Sequence, residues 1–300
     1  MRAAPVRRRD LIASASAELR AGGVASPEHD AAELLAHVLG TTRVRLALVD
    51  EVDAEPAAAF AALVARRAAR EPLQHLTGVA YFRHVELAVG PGVFVPRPET
   101  ELLAGWAIEA LAGRVAERGT SEARHDQPVV VDLCTGSGAI AKAIKDELPE
   151  ADVHAVELSE DAYPWAQRNL AGTGVDLRQG DMATAFDDLL GRVDVVVCNP
   201  PYIPLEAWES VAAEARDHDP HLALFSGDDG LDAIRVLERR AALLLAPGGV
   251  VGFEHADEQG HEGGRYSAPA VFTATGRWSD VRDHPDLAGR PRYVTARLAR

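Results

Sequence analysis

The sequence predicts an α/β fold: a doubly wound, mostly parallel seven-stranded sheet, preceded by a small helical N-terminal domain and a β-hairpin linker. Three observations carry this. From residue 129 short apolar runs alternate with helix-like segments, the pattern of a parallel sheet covered on both faces. The first run, "VVVDLCTGSGAIA", passes through a glycine-rich turn straight into a helix start. Before residue 78 the apolar residues recur at helical rather than strand spacing. The boundaries read from these changes are residues 1–77, 78–97 and 98–300.

In the first segment, "ASPEHDAAELLAHVLG" offers Ser26 as an N-cap, Pro27 at the first helical position and acidic Glu28 after it. Leu34, Leu35, Val38 and Leu39 share one face, and Gly40 ends the helix. "EPAAAFAALVARRAAR" repeats the pattern with Phe60, Leu63 and Val64. Neither helix carries a catalytic constellation. In the linker, "YFRHVELAV" partly alternates, "GPG" breaks the chain and "VFVP" follows, which reads as the hairpin. Pro98 with Glu99 and Glu101 suits the start of the next helix, and "RVAERGTSEARHDQP" reads as a polar surface loop.

The sheet strands are then "VVVDLCT", "DVHAVELS", "VDLRQGD", "VDVVVCN" and "GGVVGFEH", with two late ones around "AVFTATGRWSDVRDH" and "PRYVTARLA". Helical segments such as "GAIAKAIKDEL", "DAYPWAQRNLA" and "LDAIRVLERRAALLL" separate most of them.

The formal net charge is −15 over 300 residues. Residues 1–75 carry 10 basic and 10 acidic side chains, so the whole excess falls on residues 76–300. Such a body repels a phosphate backbone, and direct nucleic-acid binding is not expected. No uninterrupted apolar window of ~18 residues suggests a membrane span, and the basic N-terminus lacks the continuous apolar stretch of a signal peptide, so the chain reads as cytoplasmic. The two cysteines, Cys134 and Cys198, form no CxxC pair, and no metal site is expected. His255 and His261 in "EHADEQGHEGG" read as solvated loop histidines.

Ligands of open α/β sheets bind at the carboxyl ends of the strands, so residues there carry the chemistry. Gly136 and Gly138 allow a tight turn and a close backbone approach, but with Ala141 they also fit a dinucleotide fingerprint. Asp132 separates the two: a carboxylate before the loop repels a pyrophosphate and suits an ammonium. S-adenosylmethionine carries one at its methionine end. Glu157, at the end of the second strand, can accept hydrogen bonds from both ribose hydroxyls. Asp181 after the third can accept from an adenine amino group, with the Met182 backbone beside it.

"CNPPYIP" ends the fourth strand, which in doubly wound sheets lies beside the first. The Asn199 side-chain oxygen and the Pro200 carbonyl make a fixed pair of acceptors for an NH2 group, and Tyr202 offers a flat wall. A seat of this kind grips a planar amide or amine and stabilises charge developing on its nitrogen.

These motifs resemble the PrmC/HemK family, S-adenosylmethionine-dependent methyltransferases that modify the glutamine of the Gly-Gly-Gln motif in peptide chain release factors. The resemblance spans nearly the whole chain, through "REPLQHLTG", "VFVPRPETELL", "DLCTGSGAIA", "NPPYIP", "RDHDPHLALFSGDDGLD" and "DLAGRPRYVTARL". It implies a Rossmann-like methyltransferase sheet over 98–300 and a substrate-recognition role for 1–77. It also implies N5 methylation of a glutamine, with a release factor as partner. A ribosomal-protein glutamine is the nearest alternative, and an exocyclic adenine amine a more distant one. By this resemblance Asn199, Pro200 and Tyr202 are catalytic and, with Pro201 and Arg97, hold the substrate. Asp132, Thr135, Gly136, Gly138, Glu157, Leu158, Asp181, Met182 and Asn199 surround the cofactor, while Pro96 and Glu99 help shape the cleft mouth.

The chain departs from the family pattern at three places. Cys134 stands where glycine or another small residue is usual, His75 replaces an aromatic, and Pro164 falls where a helix usually runs. Because Cys134 and Cys198 end neighbouring strands, their Cβ atoms are expected to approach each other, with two reduced thiols favoured over a disulfide.

Overall fold

The structure, a computed structural model, describes residues 4–118, 127–260 and 267–299. The chain divides into two compact units. One comprises residues up to Val79 together with Ala212–His218, the other Ala80–Val211 with Asp219–Arg300.

The first unit is built on helices Arg8–Ala21, Pro27–Val38 and Ala54–Ala68. Their apolar faces meet in a core that includes Leu19, Leu34, Leu35, Phe60 and Val64. Pro27 opens its helix as expected, but the Ser26 side chain makes no capping bond. A short antiparallel pair, Val6–Arg7 with Glu51–Val52, ties the chain before the first helix to the chain before helix Ala54–Ala68. Arg67 is buried yet fully engaged: Nε donates to Asp30 Oδ2 at 2.8 Å, Nη1 to the Glu71 carbonyl at 3.0 Å and Nη2 to Glu214 Oε1 at 3.2 Å. A buried guanidinium without such partners would cost several kcal/mol. His75 is buried in the same unit.

The hairpin pairs Val79–Phe82 with Val85–Ala88 and turns at Arg83, whose φ is +50°. The sequence suggested a break at "GPG" with "VFVP" as the second arm; the structure turns earlier and leaves 93–96 without strand. The alternation explains this: Phe82, Val85 and Leu87 all point inward and join the core of the sheet unit. Arg83 closes the turn with a two-pronged ion pair to Glu147, at 2.6 and 2.9 Å.

The seven-stranded sheet consists of β1 (Val129–Leu133), β2 (Asp152–Glu157), β3 (Asp176–Gln179), β4 (Val193–Cys198), β5 (Leu245–Glu254), β6 (Trp278–Pro285) and β7 (Pro291–Leu298). Its spatial order is β6-β7-β5-β4-β1-β2-β3. The first five strands run parallel, and β7 is antiparallel to both β5 and β6. Strand order reverses between β1 and β4, and a crevice at their carboxyl ends follows from that topology.

Helices cover both faces. Thr100–Arg118, Ala139–Glu147 and Tyr163–Leu170 pack on one side with the hairpin, and Asp232–Leu244 and Ala268–Thr273 on the other. This double cover is why β4 is buried at every position and reads as a continuous apolar run. Its one acid, Asp194, is accounted for by the Val129 N–H, which donates to it at 2.9 Å. Gly252 in β5 lets helix Thr100–Arg118 lie close, since a Cβ there would sit 2.2 Å from Trp106. Pro164 sits in the first turn of its helix, where it is tolerated. Helix Thr100–Arg118 runs into the stretch expected to be loop; residues 119–126 lie outside the described residues.

Candidate active site

A cavity of about 380 Å³ opens at the carboxyl ends of β1, β2, β3 and β4. Nine of the residues expected at the site line it: Thr135, Gly136, Glu157, Leu158, Asp181, Met182, Asn199, Pro201 and Tyr202. Asp132, Gly138, Pro200 and Arg97 do not.

The glycine loop takes its shape from left-handed backbone at every second residue, with φ of +69° at Cys134, +57° at Gly136 and +84° at Gly138. Glycine adopts such backbone without strain; Cys134 does not. Asp132 lies beneath the loop, wholly buried, rather than facing the cavity as the sequence suggested. Its Oδ2 accepts from Thr135 Oγ1 at 2.6 Å and from the Ala141 N–H at 3.2 Å, joining loop to helix. Oδ1 is buried without a partner. Burial pushes this carboxyl up to about 7, against the opposing pull of those two donors.

Glu157 lines the cavity and also braces the loop. Oε2 accepts the Gly136 N–H at 2.7 Å and Oε1 the Ser159 N–H at 2.8 Å. Burial raises its pKa, and the backbone donors oppose that. Asp181 Oδ1 accepts the Ala183 N–H at 2.8 Å, a turn-capping bond that leaves the residue exposed at the cavity. The Met182 sulfur lies 3.6 Å from Cys134 Sγ. Asn169 ties the loop to the hairpin: its Nδ2 donates to the carbonyls of Ser137 and Ala88, and its Oδ1 accepts the Ala88 N–H.

The β1–β4 register sets Leu133 opposite Cys198, so Cys134 stands one step beyond. Both cysteines are free. The Cys198 thiol is pushed well up, first by burial and then by its hydrogen bond with Cys134.

Asn199 leaves β4 with Nδ2 donating to Thr100 Oγ1 at 3.2 Å. Thr100 Oγ1 donates to Glu254 Oε2 at 2.6 Å, and the Tyr202 hydroxyl donates to Glu254 Oε1 at 2.9 Å. Burial raises the Glu254 carboxyl, while the two hydroxyls and the Arg292 guanidinium favour its ionised form. Tyr202 is further fixed by Gln259, whose Nε2 donates to its carbonyl at 2.9 Å. No local motif marks Thr100 or Glu254 as a site residue, although Glu254 ends β5 as Glu157 ends β2 and the strand-end rule points to it.

Arg97 is held away from the cavity. Its Nη2 donates to Asp219 Oδ2 at 2.7 Å, and its guanidinium lies 4.9 Å from the Phe94 ring. Phe94 and Pro96 do line the cavity, so Arg97 shapes the wall through its neighbours. Burial pushes Asp219 up to about 6, against the Arg97 charge. His255 corrects the expectation of a solvated histidine: it is fully buried, with Nε2 3.1 Å from Asp283 and Nδ1 2.7 Å from the Ala256 carbonyl. The antiparallel partner β7 covers the end of β5, which the local polar sequence did not reveal. His261 lies outside the described residues. Among the described residues no group of three or more acidic, histidine or cysteine side chains is placed to hold a metal ion, and no helix is long and apolar enough to cross a membrane.

Residues 10–78 match the PrmC N-terminal domain model, and residues 130–218 match a methyltransferase domain model. The release factor glutamine methyltransferase of Streptomyces coelicolor is 58% identical over 289 residues, 96% of this chain and 97% of the relative. That of Mycolicibacterium smegmatis is 48% identical over 300 residues, 98% and 99% of the two chains. A 4-amino-L-phenylalanine/4-methylamino-L-phenylalanine methyltransferase of Streptomyces pristinaespiralis is 47% identical over 222 residues, 74% of this chain and 72% of the relative. A sheet whose central strand ends in an asparagine beside a glycine loop, together with identity of this extent along whole chains, leads to one conclusion: the chain belongs to the PrmC/HemK family of release factor glutamine methyltransferases.

Proposed function

We propose that this protein methylates the side-chain amide nitrogen, N5, of the glutamine in the Gly-Gly-Gln motif of peptide chain release factors, in the cytoplasm. The observation that carries this reading is the Asn199 carboxamide, which lines the same cavity as Gly136 and whose Nδ2 is already engaged by Thr100. Its Oδ1 is thereby left to accept an N–H.

The residues at the strand ends suit S-adenosylmethionine. A Cβ built on Gly136 meets nothing within 4 Å, so the loop backbone is open to a ligand, and the buried Asp132 Oδ1 leaves an unpartnered polar atom beneath it. When bound, that cofactor supplies an electrophilic methyl group on a positively charged sulfur. Thr135, Gly136 and Gly138, braced by Asp132, form its methionine end. Glu157 and Leu158 hold the ribose, and Asp181 with Met182 the adenine. Asn199 Oδ1 and the Pro200 carbonyl accept the two N–H bonds of the glutamine amide. Pro201 and Tyr202 flank its plane, and Arg97 fixes the mouth through Phe94. Holding both N–H bonds turns the nitrogen lone pair toward the donor, and alignment of well-oriented reactants is worth up to roughly 7–11 kcal/mol. The helical unit reads the protein substrate.

The test is incubation of the purified chain with methyl-labelled S-adenosylmethionine and, separately, a release factor, a ribosomal protein and DNA. Label on the release-factor glutamine alone is the expected result; label on nucleic acid alone overturns the reading.

A further inference from the structure

The chain contains two asparagines, Asn169 and Asn199, and the second faces a choice that its own shape does not make. A carboxamide presents an acceptor on one side and a donor on the other, and the two are nearly equal in size. Only one orientation offers an oxygen to an N–H-bearing substrate. Something else must set it.

The bonds around Thr100 do so by proton counting. Its hydroxyl has one proton and lone pairs to accept with. Glu254 Oε2, 2.6 Å away, accepts the Thr100 hydroxyl proton, and its other oxygen takes the Tyr202 hydroxyl proton, so both carboxyl oxygens are engaged as acceptors. With the Thr100 proton committed to Glu254, only a lone pair faces Asn199. Nδ2 satisfies that lone pair at 3.2 Å. With the amide reversed, Oδ1 would face an oxygen that has no proton left to give. Thr100 and Glu254 are both buried, so the bond that fixes the Thr100 proton is shielded from bulk water.

We propose that Thr100, locked by Glu254, is a positioning residue that fixes the Asn199 carboxamide with Oδ1 presented to the substrate nitrogen. The chain of bonds has a single direction, from Asn199 through Thr100 to the carboxylate, with Tyr202 feeding the same carboxylate from the other side. Glu254 thus sets the acceptor and the flat wall of the seat together. This role rests on the amide-seat reading of Asn199 given above.

Two measurements test it, one of which needs no substrate. Selective 15N labelling of asparagine side chains gives two NH2 signal pairs, with Asn169 as an internal control. Thr100→Val, which keeps the shape and loses the hydroxyl, is expected to shift the Asn199 pair and speed its proton exchange. It should leave the Asn169 pair in place, and Thr100→Ser should restore the Asn199 pair. In single-turnover methylation of the release factor, Thr100→Val is expected to slow transfer on the order of 10²-fold, the scale of a misplaced reacting group. Calorimetric affinity for S-adenosylmethionine should stay within about twofold, an expectation on the same premise that only orientation changes. Because Thr100 acts through Asn199, Thr100→Val added to Asn199→Ala should cost nothing further. An Asn199 pair that ignores Thr100→Val, or losses that multiply in the double variant, overturns the proposal. Should the unaltered chain methylate no release factor, the functional reading fails, and the NMR arm still decides whether Thr100 orients the amide.

Discussion

Asp132 makes stability depend on pH in a direction opposite to that of a salt-bridged carboxylate. Its pKa is about 7 in the folded chain against 3.8 for an ordinary aspartate, chiefly through burial. Between those values the folded chain keeps a proton that the unfolded chain has released. The folded state binds more protons, so stability falls as pH rises through this window, and it levels off above about 7. Below 3.8 both states are protonated and the contribution is constant. Inside the window each pH unit costs about 1.4 kcal/mol, so the interval from pH 5 to pH 7 costs about 2–3 kcal/mol. Asp132→Asn removes the titration while keeping an oxygen to accept from Thr135. Urea unfolding of both proteins at pH 5, 6, 7 and 8 isolates the effect, because the other titrating groups cancel in the difference. The expected result is that the original chain loses about 2–3 kcal/mol relative to the Asp132→Asn protein between pH 5 and 7 and no more by pH 8. A flat difference would show that Asp132 is already ionised in the folded chain at pH 5. A cationic partner that governed Asp132 in place of burial would also leave the difference flat from pH 5 to 8, and would change it only below about pH 5.

The loop backbone supports two further expectations. Gly138→Ala places a Cβ at φ +84° and 3.0 Å from Leu170 Cγ; left-handed strain outweighs the stiffer unfolded chain, so a loss of about 1–2 kcal/mol is expected in urea unfolding. No loss would mean that the loop relaxes to another conformation. At Cys134, φ +69° reverses the usual order of alanine and glycine, so Cys134→Gly should be more stable than Cys134→Ala by about 1 kcal/mol. Equal melting temperatures for the two would argue against left-handed backbone there.

The sequence by itself determined the sheet, because strands buried on both faces must be apolar throughout and the helices between them must be amphipathic. The seven strands, the glycine loop and the asparagine after β4 were all legible for that reason. So was the gathering of Glu157, Asp181 and Asn199, since a doubly wound topology brings strand ends to one crevice. Only the tertiary structure decided what each polar group is bonded to. Asp132 turned out to lie under the loop and Arg97 behind the wall, while His255 is buried by the late antiparallel strand. The hairpin turned at Arg83 because its inward face had a core to join. Thr100 and Glu254 lie 154 residues apart in sequence yet share a hydrogen bond, and no local pattern announces a partner at that distance. Periodicity records which face of an element is covered; it carries no record of which distant atom does the covering, and at this site such distant partners hold Asn199, Tyr202 and Arg97 in place.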